Sequence, residues 1–254
     1  MFWSRNLVDA DTATWVEEGF AWLIRTYDAK VYFNETKLIL PTSDFFKAPK
    51  GSSHDAAQVL FDQVRAHMGM SDWSCKLVRQ DADPNTHIAT GLSVQGVEQS
   101  PGGTFGFDGK QITITYSPDL MKWPVSFLNM LSHELAHYLL AADVEHAPGG
   151  VDAHELMTDL AAIYAGFGLI QLEGGMTASG YQDAFEAGWQ IGNLCYLSSE
   201  TRAFALALFV LSKDIAPSTA LSYLSSSKSK LFRSALRMLK KQPEIVDRIK
   251  ALAG

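Results

Sequence analysis

Cysteine is scarce in this chain. Only Cys75 and Cys195 occur among 254 residues, and two thiols do not make a disulfide framework in a chain of this length. This excludes the small disulfide-stabilised folds and favours a reducing compartment. The first residues carry acidic side chains where a signal peptide needs its apolar core. Together these features predict a cytoplasmic protein.

Long apolar runs and a positive charge excess are also missing. The longest apolar stretch of the C-terminal half, residues 203–211, is too short to span a bilayer, so we expect no membrane segment. The net charge is −7, which gives no reason to expect nucleic-acid binding. A basic helix predicted at 227–241 is interpreted as a solvated face. With 47% hydrophobic residues the chain predicts a single domain over 1–254, with a possible subdivision into 1–170 and 171–254.

The clearest chemical signal is the motif H-E-x-x-H. It is formed by His133, Glu134 and His137. Pro124 suits the first position of a helix, and residues 125–140 contain no Gly or Pro. On such a helix the two histidines share one face and bind a single zinc ion, while the carboxylate between them serves as general base toward a zinc-bound water. Apolar residues surround the motif, so its polar groups need partners, and a metal supplies them.

A third ligand is expected from the segment that follows, because a catalytic zinc ion takes three protein ligands and a water. Glu155 and Asp159 lie four apart on a second predicted helix, with Asp152 as its N-cap. Glu155 is the favoured ligand, and Asp159 is placed to bond the outer nitrogen of a ligating histidine. Three rival ligands remain open, namely His154, Asp152 and His146.

The pair of motifs resembles the signature of gluzincin metallopeptidases, H-E-x-x-H followed by E-x-x-x-D. The resemblance covers about residues 111–170. It implies zinc held by His133, His137 and Glu155, with Glu134 as general base and Asp159 as the support of a zinc-bound histidine. It does not extend to the His or Tyr that thermolysin-like enzymes use to stabilise the oxyanion.

Two further observations accompany this resemblance. Tyr181 and Tyr196 are the candidates for the oxyanion role, with ordinary packing as the alternative for both. Most of the chain is also similar to a set of uncharacterised bacterial proteins with an H-E-L-A-H motif and a Leu-Pro-Thr segment, which stands at residues 40–42 here. That second similarity implies no activity.

The remaining pattern predicts an α+β fold of zincin-like type, mainly helical, with a small antiparallel sheet and an active-site helix. Asp108-Gly109 between alternating runs predicts a hairpin. Its second strand, 112–116, resembles the edge strand on which zincins bind peptides, with an ordinary sheet strand as the alternative. Periodicity and turn residues predict further helices at 14–27, 54–68 and 200–211 and strands at 36–40 and 73–78.

These features predict a zinc-dependent hydrolase whose expected substrates are peptides or proteins. The alternative is a non-catalytic zincin scaffold that binds or regulates, with a structural or vestigial metal site. A fourth protein ligand such as His154 or Asp152 in place of water would favour this alternative. A third hypothesis is that the site binds no metal and that His133, Glu134 and His137 form a polar network. The sequence does not indicate an oligomeric state.

Overall fold

The computed structural model describes residues 6–47, 49, 51, 53–80, 102–175 and 195–254. These parts of the chain are mostly helical and include one small sheet, which confirms the expected α+β class. The helices are α1 (Ala10–Thr26), α2 (His54–His67), α3 (Pro124–Leu140), α4 (His154–Ala162), α5 (Gly168–Gly174), α6 (Ser199–Ser212), α7 (Pro217–Leu221), α8 (Ser226–Lys241) and α9 (Pro243–Lys250). The strands are β1 (Cys75–Arg79), β2 (Gly103–Phe107) and β3 (Ile112–Tyr116).

The predicted helices are present with small shifts at their ends, and local capping explains where several begin. The side chain of Asp9 accepts a hydrogen bond from the Thr12 N–H at the start of α1. Ser53 and Ser198 cap α2 and α6 in the same way. Such caps satisfy N–H groups that the first turn leaves without a partner, so they place the helix starts.

The sheet is mixed, so the prediction of an antiparallel sheet is only partly right. The hairpin is confirmed, since β2 and β3 pair antiparallel with Phe105 opposite Ile114. However, β1 runs parallel to β3, and the strand order is β1-β3-β2. A parallel pair needs a long crossover rather than a tight turn, and local sequence does not reveal it. The prediction of 112–116 as an exposed edge strand is therefore wrong, because β3 has a neighbour on each side.

The predicted strand at 36–40 is also wrong. This segment pairs with no strand among the described residues, and the Ile39 N–H donates instead to the Gly166 carbonyl at 3.0 Å. Gly166 lies at a kink between α4 and α5 with φ of 98°. A Cβ atom there would lie 2.0 Å from the Lys37 carbonyl oxygen. The glycine thus permits a backbone contact that replaces a strand ladder.

Helix α3 lies between two hydrophobic clusters. Ala136 and Leu140 belong to a cluster formed with α1, α4, α6, α8 and α9. Leu128, Leu131 and Leu135 belong to a second cluster formed with α2 and the sheet. Burial on both sides explains why this helix is apolar around most of its circumference. The possible subdivision at residue 170 stays a prediction.

Candidate metal centre

Helix α3 carries the three polar residues of the motif at its buried centre. His133, Glu134 and His137 are 6%, 7% and 8% exposed. The two imidazole rings stand perpendicular with centroids 4.7 Å apart, and their Nε2 atoms are separated by 3.1 Å. The predicted helix thus places both nitrogens at one point, as i,i+4 spacing requires.

Helix α4 brings Glu155 to the same point. Its Oε2 atom lies 3.4 Å from Nε2 of His133 and 3.4 Å from Nε2 of His137. This oxygen is buried and has no hydrogen-bond partner. Ligands that surround zinc tetrahedrally at its usual bond lengths lie ~3.3 Å apart. The three separations match that spacing, and a cation at their centre would satisfy the unpartnered oxygen.

The start of α4 differs from the prediction. Gly149 and Gly150 both have positive φ and lead into a short 3-10 turn, Gly150–Ala153. The α-helix begins at His154, and no side chain caps it. The prediction that Asp152 is the N-cap is therefore wrong, because the 3-10 turn occupies the position of the first α-helical turn.

Asp159 supports His133 from behind. Its Oδ1 lies 2.9 Å from Nδ1 of His133, as predicted for a bond to the outer nitrogen. Its Oδ2 accepts the backbone N–H groups of Tyr196 at 2.6 Å and Leu197 at 2.8 Å. The carboxylate is fully buried. If Nε2 of His133 binds a metal, the proton of the imidazole is on Nδ1, and this N–H donates a hydrogen bond to Asp159.

The outer nitrogen of His137 has two partners that sequence reasoning did not find. His154 Nε2 lies 3.1 Å from Nδ1 of His137, and Thr158 Oγ1 lies 3.3 Å from it. The Thr158 hydroxyl donates to the His154 carbonyl at 2.9 Å, so its lone pairs face the imidazole. His154 thus contacts the outer nitrogen of His137. Two other rival ligands, Asp152 and His146, are exposed, and among the described residues the ligand atoms that converge belong to His133, His137 and Glu155.

Burial and these contacts determine the electrostatics of the cluster. Burial raises the pKa of Glu134 to about 7. Burial alone would lower the pKa of His133, but its hydrogen bond to Asp159 and the nearby carboxylate of Glu155 outweigh burial and raise that pKa to about 10. Burial opposes ionisation of Glu155, yet the two imidazoles hold its pKa well below its usual range.

Two aromatic rings stack on the histidines of the cluster. Phe105 on β2 stacks on His137 with centroids 6.0 Å apart. Tyr196 stacks on His133 at 5.7 Å and is 58% exposed. Sequence reasoning missed Phe105, because only the sheet topology brings it to the site. Tyr196 lies beside the metal ligands, and its oxyanion role stays a prediction. Tyr181 lies outside the described residues.

Comparisons with protein-family models, with curated proteins and with solved structures gave no match to this chain. The functional assignment therefore depends on the residues of the site and their geometry. Among the described helices, none combines the length and apolar character needed to cross a bilayer.

Proposed function

We propose that this protein is a zinc-dependent hydrolase of gluzincin type that cleaves peptide bonds. One observation carries the proposal: three ligand atoms of the types zinc prefers, two imidazole nitrogens and a carboxylate oxygen, lie 3.1 to 3.4 Å apart in a buried cluster. The donor set is that of a catalytic rather than a structural site, because three protein ligands leave one position for water.

Each residue of the cluster has a separate role in the proposed reaction. His133, His137 and Glu155 hold the ion, and Asp159 orients His133. A bound zinc ion lowers the pKa of its water and polarises the scissile carbonyl. Glu134, adjacent to a ligand and 7% exposed, takes a proton from the water and passes it to the leaving amine. Its burial supports this role, since burial raises the pKa of Glu134 and so makes the carboxylate a stronger proton acceptor.

The position of β2 supports a peptide substrate. In the described sheet β2 lies at one side of the order β1-β3-β2, and its residue Phe105 stacks on a metal ligand. An extended peptide that pairs with β2 would run past the metal ligands. The zincin-like fold and its substrate-binding edge are thus proposed with β2, rather than β3, as the edge strand.

The non-catalytic alternative lacks a specific observation in its favour. A fourth protein ligand would favour it, and His154 instead contacts the outer nitrogen of His137. We further propose a cytoplasmic location, with a peptide or protein as partner. The location rests on the scarcity of cysteine and on the free thiols of Cys75 and Cys195.

The test compares zinc-loaded wild type with Glu134→Gln on a peptide library read by mass spectrometry. The variant keeps the size of the side chain and removes the base. We expect cleavage by wild type and a loss of about 10²- to 10⁴-fold in the variant, with zinc content unchanged. Equal cleavage by both proteins would contradict the proposed role of Glu134.

A further inference from the structure

A second cluster, away from the metal ligands, contains a buried arginine. Arg202 on α6 is 3% exposed. Its Nη1 donates to the Gln171 carbonyl at 2.5 Å and its Nη2 to the Ser199 hydroxyl at 3.3 Å. Its Nε has no partner. Among the described residues no carboxylate lies within ion-pair distance of this guanidinium. A buried charge to which the described residues offer no counter-ion is costly, so the arrangement favours an added acceptor.

Lys228 on α8 contacts the same Ser199 hydroxyl oxygen as Arg202. Its Nζ donates to the Ser199 hydroxyl at 2.8 Å. Burial lowers the pKa of Lys228, and the neighbouring Arg202 lowers it further. Two cations from different helices thus donate to one serine oxygen, whose two lone pairs accept both hydrogen bonds but carry no negative charge to offset the cations. An anion bound between them would relieve their repulsion.

Two more features of the cluster favour a negative ligand. The side-chain amide nitrogen of Gln171 is fully buried and has no hydrogen-bond partner. Ser199 is the first residue of α6, a helix of 14 residues whose positive dipole end lies there. The guanidinium of Arg202, the ammonium group of Lys228 and the first residue of α6 therefore meet at the Ser199 hydroxyl, and the carbonyl of Gln171 contacts the same guanidinium.

We propose that Arg202, Lys228 and Ser199 form a binding site for an oxyanion, a phosphate or carboxylate group of a ligand. Planar guanidinium donors, an ammonium group and a helix N-terminus are the groups that recognise such anions. Two acidic side chains are near enough to act on Lys228 and raise its pKa, Glu173 and Glu200. Glu173 already accepts the Ser225 N–H at 3.0 Å. Glu173 and Glu200 reduce the positive potential around Lys228, and neither forms an ion pair with the Arg202 guanidinium.

Gly175 offers a way to perturb Arg202 without deleting it. A Cβ atom at this position would lie 1.7 Å from Nη1. The backbone there has φ of −70°, which alanine adopts without strain. Gly175→Ala therefore displaces the guanidinium and leaves the charge in the protein.

The test is thermal unfolding of the full zinc-loaded chain with increasing inorganic phosphate at constant ionic strength, with acetate as a second anion. Wild type is expected to gain Tm along a saturating curve. Lys228→Gln and Gly175→Ala should need about tenfold more phosphate for half the shift. Lys230→Gln, which removes the same charge from an exposed position of α8, should respond as wild type does.

The outcomes separate the site from general ion effects. A saturating shift with acetate alone would support the site and assign it to carboxylates. A shift of equal size in wild type and Lys228→Gln would overturn the proposal, because phosphate bound to the zinc ion or spread over the surface gives that result. The absence of any shift in wild type with either anion would overturn it as well.

Discussion

Asp159 accepts from His133 with one carboxylate oxygen and from the N–H groups of residues 196 and 197 with the other. The distance from Oδ1 to Nδ1 of His133 is 2.9 Å. One buried side chain therefore joins helix α3, which carries the proposed metal ligands, to the segment that enters α6. The orientation of the His133 ring and the position of Tyr196 above it depend on the same carboxylate.

Replacement of Asp159 by asparagine should weaken zinc binding about 10- to 100-fold. Asparagine offers a single acceptor oxygen to three donors, and its NH₂ group faces N–H groups that need an acceptor. A competition titration with a chromophoric chelator measures the change. Asp152→Asn, at an exposed position of the preceding turn, serves as control. Equal affinities in the two variants would contradict the role of Asp159.

Thr158→Val should weaken zinc binding severalfold and lower the free energy of unfolding by about 1 kcal/mol. The variant keeps the shape of the side chain but removes the hydroxyl beside Nδ1 of His137. Thr158→Ser keeps that hydroxyl and should bind zinc as wild type does. Chelator competition and urea unfolding provide the two readouts. A Thr158→Val protein with wild-type zinc affinity would show that His154 suffices for His137.

The two motifs were predictable because helix geometry sets their spacing. His133 and His137 lie four apart on one helix, and Glu155 and Asp159 lie four apart on another, so each pair shares a face whatever the fold. The partners of His137 were not predictable in the same way. They depend on the rotation of α4 relative to α3, which tertiary packing decides. The parallel pairing of β1 with β3 and the contact of Phe105 likewise join residues distant in sequence.

The pH dependence of zinc binding should extend well above neutrality. In metal-free protein the pKa of His133 is raised from 6.5 to about 10. Zinc must displace that proton, so its apparent affinity should rise with pH up to about 10 rather than level off near pH 7. The same proton stabilises the metal-free fold below pH 6.5, and this stabilisation is lost as pH rises through about 10.

Asp159→Asn distinguishes this effect from ionisation of the bound water. Because the bond to Asp159 helps raise the pKa of His133, the affinity of the variant should level off at lower pH. Titrations in chelator-buffered zinc from pH 6 to 9.5 supply the comparison. Parallel curves for the variant and wild type would contradict the assignment to His133.

Gly166→Ala should lower the free energy of unfolding by about 3 kcal/mol. The added Cβ meets the Lys37 carbonyl oxygen at 2.0 Å, and φ of 98° strains any L side chain. Gly106→Ala is the matched control, since its Cβ would lie 3.9 Å from the nearest backbone oxygen. Denaturant unfolding of both variants tests the prediction. A loss no larger at Gly166 than at Gly106 would show that the 36–40 segment does not need this contact.

The central claim, a three-ligand zinc site, is tested most directly by the zinc content of purified protein after loading and dialysis. Wild type and Glu134→Gln should each retain one zinc ion per chain, and Glu155→Ala should lose it, because only the last variant removes a ligand. Wild-type protein without stoichiometric zinc, or Glu155→Ala protein that retains it as wild type does, would contradict the account.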